Sequence, residues 1–249
     1  MSWRARPEVM TDALDVLAFA PHPDDAEIGC GGSLARAVKA GLRVGIADLT
    51  AAEKSTRGDP RRRQEEAAVA AGILGLTERF GLGLPDTRVG SEVEHRDLVI
   101  EAIRRTRPRV VWAPYGHDRH PDHAATAKLV ADAVFLAGVA KVATGPPHRP
   151  SRLYHYMIHH PFPPTFISDI SAVWEQKAAA IEAFESQFGP DPDEPAGVVR
   201  RPGFLRHVEA RAIHYGAMIG VSHGEPFHCE GPVAMPPFTD PAPTGYSSY

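Results

Sequence analysis

Cysteine is nearly absent: Cys30 and Cys229 are the two in 249 residues. Neither belongs to a C-x-x-C pair, so a thiolate-based metal ribbon is excluded. Cys30, at the front of a helix, reads as a small buried hydrophobe. No apolar run reaches membrane-spanning length, and the first residues carry no apolar signal segment. A cytoplasmic protein is the expectation. A basic excess is also missing: 27 Lys+Arg stand against 31 Asp+Glu, for a net charge of -4. Nucleic-acid-binding domains are usually basic, so that class is disfavoured, as is a membrane partner. The first strand–helix turn lacks G-x-G-x-x-G; Gly29, Gly31 and Gly32 fall too late. This weakens a dinucleotide-binding reading. No internal repeat or heptad shows.

The chain does have alternating strand and helix signals. Apolar runs at 14–20, 42–49, 79–84 and 109–113 read as strands, and helices are expected over 27–40, 61–74, 93–106 and 124–136. Such alternation predicts an α/β, Rossmann-like three-layer fold with a mainly parallel central sheet. The length suits one domain over 1–249: a core at 12–140, C-terminal additions at 150–228 and an extended tail at 231–249. In the C-terminal part, 153–158 and 166–170 read as strands, the latter at an edge. Ser171 is expected to cap a helix running to Ser186. A last helix covers 206–219, with His207 and Arg211 on one face, where either could reach an anionic substrate or join a surface salt bridge. The charged residues of the 61–74 helix read as a solvent face, with Glu65 or Glu66 able to pair with Arg57.

The chemistry concentrates at two strand ends. His22-Pro23-Asp24-Asp25-Ala26-Glu27 follows the first strand, and His117-Asp118-Arg119-His120-Pro121-Asp122-His123 follows the fourth. The first stretch alone is equally a polar turn capping a helix. Two such clusters at strand ends that can be neighbours favour a metal site. A catalytic zinc takes three protein ligands and leaves a position open; His22, Asp25 and His123 supply three. Asp24 is then placed as proton acceptor, His120 as oxyanion stabiliser and Asp122 as the carboxylate that orients His120. His117 and Asp118 read as exposed loop polarity. Arg57, in the loop after the second strand, and Asp86, after the third, lie on the same rim as candidate substrate contacts. His159 and His160 read as rim or interface residues.

These motifs resemble the LmbE-like (PIG-L-like) family of zinc-dependent N-acetylglucosaminyl deacetylases. The family's His-Pro-Asp-Asp-x-Glu stands at His22 to Glu27 and its His-Pro-Asp-His at His120 to His123. The resemblance implies zinc on His22, Asp25 and His123, with iron(II) able to use the same ligands. It implies Asp24 as general base, His120 with Asp122 beside it, and Thr56-Arg57-Gly58 as the substrate-binding arginine loop. Lys177 to Phe188 and Arg211 to Phe227 are similar to the family's Lys…Ser-Gln-Phe and Arg…Glu-Pro-Phe segments, with His223 where relatives carry tyrosine. The combination is most similar to the bacillithiol-pathway deacetylases. It implies removal of acetate from N-acetyl-D-glucosaminyl-malate by a homo-oligomer; the alternatives are a mycothiol-precursor or a chitooligosaccharide substrate.

Overall fold

The computed structural model describes residues 13–143, 145–189 and 203–233. The first twelve residues, most of the 189–203 loop and the tail from 234 lie outside the described residues. Seven strands form one sheet in the order β3-β2-β1-β4-β5-β7-β6. They are β1 (Val16–Ala20), β2 (Val44–Asp48), β3 (Glu78–Gly81), β4 (Val110–Pro114), β5 (Arg152–Tyr156), β6 (Phe166–Asp169) and β7 (Gly224–His228). The first five are parallel; β7 runs antiparallel between β5 and β6. The helices are α1 (Asp25–Lys39), α2 (Pro60–Leu74), α3 (Val93–Thr106), α4 (Pro121–Ala137), α5 (Trp174–Glu182), α6 (Glu185–Phe188) and α7 (Phe204–Met218). No helix among the described residues is long and apolar enough to cross a membrane.

Strand alternation explains the three layers. In β1, Val16, Ala18 and Ala20 face the core shared with α1, α2 and α5, while Leu17 and Phe19 face the core under α3 and α4. Trp112 and Val111 divide β4 in the same way. Successive side chains point to opposite faces, so a central strand covered on both sides is apolar throughout. Each parallel strand feeds its following loop to one rim, and β1 and β4 are adjacent there. The strand order reverses between β1 and β4, where open sheets of this kind form their crevice.

Three expectations need correction. The helix expected over 171–186 is broken into a 3-10 turn at Ser171–Val173, then α5 and α6. Ser171 is held by His223, whose amide donates to the Ser171 hydroxyl at 3.1 Å, rather than by a helix it caps. At the second break Glu66 reaches across from α2 and accepts from Ser186 N and Oγ at 2.7 and 2.6 Å. Glu66 therefore belongs to a buried cap, and Arg63 is buried too, so the polar residues of α2 are not all a solvent face. Strand β7 escapes a sequence reading because Pro226 interrupts it. Pairing with β5 is confined to His155↔His228 and Tyr156↔Phe227, so the ladder stops short of the missing proline N–H.

α1 is two helical pieces joined at Cys30, whose φ is -141°. The break frees backbone groups that buried side chains satisfy. The Glu225 carboxylate accepts from Gly32 N at 2.9 Å and Ser33 N at 2.7 Å. The Ile28 carbonyl accepts from Lys177 Nζ at 2.9 Å and Arg211 Nη2 at 2.8 Å. Lys177 and Glu225 also pair directly at 2.5 Å. Arg211 is thus a backbone anchor, not a surface group reaching for substrate. The first piece of α1 also needs Gly29: a Cβ there would collide with the Tyr156 ring, and the Tyr156 hydroxyl is tied to Phe19 O at 2.8 Å. Gly29→Ala is therefore expected to lower stability by about 1–3 kcal/mol, the range for overpacking a core. A urea midpoint unchanged from wild type would contradict this.

Candidate metal and hydrolytic site

The sequence after β1 cannot continue as a plain turn. Asp24 adopts φ 119°, ψ -27°, a left-handed conformation for a non-glycine residue. Backbone strain of this sort persists where surrounding contacts enforce it, and it gathers at functional sites. Here Asp25 N donates to His22 O at 3.2 Å and Ile28 N to Asp24 O at 3.0 Å, fixing both carboxylates at the start of α1. Behind the turn, Thr50 Oγ1 donates to Pro21 O at 3.0 Å.

The second motif enters from β4. Pro121 opens α4, so this helix starts three residues earlier than expected and carries Asp122 and His123 in its first turn. Proline suits that position because its missing N–H would be unpaired anyway. His120 is the N-cap: its Nδ1 accepts from Asp122 N at 3.2 Å. A neutral ring accepting at Nδ1 carries its proton on Nε2. Burial, with His22 and His123 nearby, pushes the His120 pKa down and keeps the ring neutral.

The two motifs meet. Asp25 Oδ2 lies 3.0 Å from His22 Nδ1 and 3.2 Å from His123 Nε2. His22, His120 and His123 each bring a ring nitrogen within 4.8 Å of the others. The far side of each buried imidazole is held by carboxylates. His22 Nε2 faces Asp86 Oδ1 at 3.2 Å and Asp122 Oδ2 at 3.3 Å, and His123 Nδ1 faces Asp118 Oδ1 at 3.0 Å. Carboxylates behind metal-binding histidines fix tautomer and ring orientation in this way.

The electrostatics fit a cation. Burial opposes charge on His22, yet hydrogen bonds to Asp122, Asp25 and Asp86 hold its pKa well above the ordinary value. Burial likewise opposes charge on His123, but Asp25 and Asp118 raise it to about 9. Burial would raise Asp25; the two histidines pull it well below the carboxylate range. A buried acidic cluster is drawing protons onto two imidazoles, and a divalent cation would take the place of those protons. The imidazole–carboxylate donor set suits zinc or iron. Asp24 differs: burial pushes it up to about 7 against the pull of Arg63.

The structure redistributes several expected roles. The Asp122 carboxylate turns away from His120, because Thr87 N and Val89 N donate to it at 2.8 and 3.3 Å. It backs His22, and only its amide touches His120. Asp118, read as exposed loop polarity, is instead a hub, accepting from His120 N at 3.1 Å and His159 N at 3.0 Å besides meeting His123. Its carboxyl is held well below its ordinary range: burial works against this, and the His123 and His159 bonds prevail. Asp86 accepts from Lys54 N at 2.9 Å while facing His22, so it is a scaffold for the site as well as part of its wall. The Arg57 guanidinium donates to Gln187 O at 3.1 Å, while Glu66 is taken up by Ser186 and Arg62. From the Arg57 loop the cleft is lined by Ala52, Lys54 and Ser55. His159 lines the cleft and stacks on His123, with ring centroids 5.2 Å apart. His223 stacks on Trp174 at 4.7 Å instead.

Sequence reasoning missed Arg63. It lines the cleft, which encloses about 220 Å³, and donates to Asp24 Oδ2 at 2.7 Å. Its place three residues into a helix capped by Asp59 was the available signal. The first turn of that helix adjoins the same rim.

Comparison with known proteins shows which family the chain belongs to. Residues 17–134 match the family described as PIG-L, GlcNAc-PI de-N-acetylase. The chain is 33% identical over 236 residues to diacetylchitobiose deacetylase of Thermococcus kodakarensis, covering 88% of this chain and 84% of that one. It is 26% identical over 197 residues to a probable N-acetyl-alpha-D-glucosaminyl L-malate deacetylase 2 of Bacillus anthracis, covering 72% and 84%. The conserved protein TT1542 from Thermus thermophilus superposes with a TM-score of 0.84 at 44% identity, over 92% of this chain and all of that one. With both histidine–aspartate motifs converging at one rim of the sheet, the chain belongs to the PIG-L (LmbE-like) family of metal-dependent de-N-acetylases.

Proposed function

We propose that this protein is a zinc-dependent hydrolase that removes the acetyl group from an N-acetylglucosaminyl conjugate with an anionic aglycone, N-acetyl-D-glucosaminyl-malate of bacillithiol biosynthesis. The observation that carries the aglycone is at the cleft mouth. Lys54 and Arg119 line it, and neither ammonium nor guanidinium has a carboxylate partner among the described residues. Unpaired cations at a cleft mouth favour carboxylates, which arginine binds bidentately. The Bacillus relative supports the same substrate class.

His22, Asp25 and His123 would hold the zinc. Bound there, zinc would supply Lewis acidity toward the acetyl carbonyl and lower the pKa of the attacking water. Asp24 Oδ2 is occupied by Arg63, and Oδ1 makes no hydrogen bond within the described residues. Oδ1 therefore takes the proton of the attacking water and returns it to the amine nitrogen as the C–N bond breaks. His120 Nε2–H donates to the developing oxyanion. Asp118, Asp86 and Asp122 keep the two ligand rings aimed. A cytoplasmic location and a homo-oligomer complete this reading, on the family resemblance.

A second reading has one specific support, the 33% identity to a diacetylchitobiose deacetylase. The two separate on the mouth cations. Arg119→Ala is expected to raise KM for N-acetylglucosaminyl-malate by roughly tenfold, the worth of one charge-assisted contact. KM for diacetylchitobiose should stay within about twofold. Equal effects on both substrates, or none, would favour the neutral oligosaccharide.

A further inference from the structure

A second cavity, of about 370 Å³, adjoins the catalytic cleft and shares His159 with it as a wall. It lies between the chain that leaves β5 and one face of α7. Met157, Pro161 and Ala210 give it an apolar side, and Arg211, His214 and Tyr215 give it polar groups. No carboxylate among the described residues lines it. Arg211 brings a charge that its surroundings do not cancel. Lys177 takes the Glu225 carboxylate, so Arg211 is left with carbonyl acceptors: Nη1 donates to Ile158 O, and Nη2 to Ile28 O at 2.8 Å. Its Nε makes no hydrogen bond among the described residues. A guanidinium stays charged, and carbonyls satisfy its N–H groups without neutralising it. A charge taken out of water without a counter-ion is costly. The Tyr215 hydroxyl and the His214 ring make no hydrogen bond among the described residues either, and the two rings meet edge to face, with centroids 5.1 Å apart. A phenol O–H and an imidazole N–H are both donors.

We propose that this cavity is a carboxylate-binding site. It takes a small organic acid, with the carboxylate toward Arg211, Tyr215 and His214 and the carbon body against Met157, Pro161 and Ala210. An uncancelled cation and two idle donors call for an anion. The apolar side selects an anion that carries carbon, since an inorganic one would leave that side without a partner. Two sources offer this chemistry: the acetate that hydrolysis of an N-acetyl group releases, and a free organic acid with a second polar group, such as malate. His159 stacks on His123, so an occupant here sits one ring away from a metal-site imidazole. Binding in the cavity does not rest on the deacetylase reading; only the acetate source does.

The test is proton NMR of the histidine rings in the full, zinc-loaded chain, with the His214 resonance identified by its loss in His214→Gln. Sodium acetate and sodium malate are titrated separately, against sodium chloride at matched ionic strength. The His214 resonance is expected to shift saturably with at least one carboxylate and not with chloride, with half-saturation at about 1–10 mM. Saturation by acetate assigns the cavity to the reaction product, and saturation by malate alone assigns it to a larger organic acid. Arg211→Gln should weaken binding by at least about tenfold, the worth of a hydrogen bond to a charged group. Should that variant fail to fold, Tyr215→Phe carries the test, with binding weakened about two- to tenfold. Arg119→Ala, at the cleft mouth, should leave the His214 half-saturation unchanged. No saturable shift with either acid, an equal shift with chloride, or wild-type binding in Tyr215→Phe would overturn the proposal. So would weakened binding in Arg119→Ala, which would move the carboxylate to the cleft. Protein that binds acetate in this way yet releases none from any N-acetyl substrate would keep the cavity and sink the deacetylase reading.

Discussion

Asp24→Asn is expected to bind metal as the wild type does and to lose kcat by about 10²–10⁴-fold, the range for a positioned general base. Asparagine is the informative replacement. It tolerates the left-handed backbone that Asp24 adopts, so the turn should survive. Its amide can still meet Arg63 through the oxygen, as Asp24 Oδ2 does. What disappears is the oxygen that accepts a proton. Metal content and acetate release measured on one sample check this. Full activity in Asp24→Asn would remove Asp24 from the chemistry; lost activity accompanied by lost zinc would move it into the ligand set.

The second large effect concerns the fold. Lys177→Met is expected to cost about 3–5 kcal/mol, because it leaves the Glu225 carboxylate buried without its cation. For a protein of this size that lowers Tm by roughly 6–20 °C. Both partners are almost fully enclosed, so solvent offers little screening. The loss should be partly recovered in the Lys177→Met/Glu225→Gln double variant, which removes the stranded charge while an amide oxygen can still accept from Gly32 N or Ser33 N. A double variant no more stable than Lys177→Met would contradict the account. The site depends on this pair indirectly, since it holds the break at Cys30 behind the turn that presents Asp24 and Asp25.

The meeting of the two motifs at one rim was legible because each motif is local. His22 to Glu27 and His120 to His123 each follow an apolar strand, and parallel strands send their loops to one rim whatever else the chain does. The backing groups were not legible, because each is a long-range pairing. Asp118 looks like loop polarity until His123 and His159 are folded against it. Arg63 looks like one of several helix-surface charges, since its neighbours Arg61 and Arg62 are exposed. The role of Asp122 is hidden for a similar reason. Its sequence neighbour is His120, but the amides of Thr87 and Val89 draw its carboxylate toward His22. The segments near Lys177 and Glu225 resemble the family without revealing why. In space, residues 177, 211 and 225 converge on one broken helix turn. β7 is hidden by a proline placed where no ladder partner is lost.

The most direct test of the central claim is acetate release from N-acetyl-D-glucosaminyl-malate, beside diacetylchitobiose, by protein stripped with a chelator and then titrated with zinc. The account predicts no acetate from the stripped protein, recovery complete at one zinc per chain, and preference for the malate conjugate. Acetate release that survives chelation, or none from either substrate at full zinc occupancy, would contradict it.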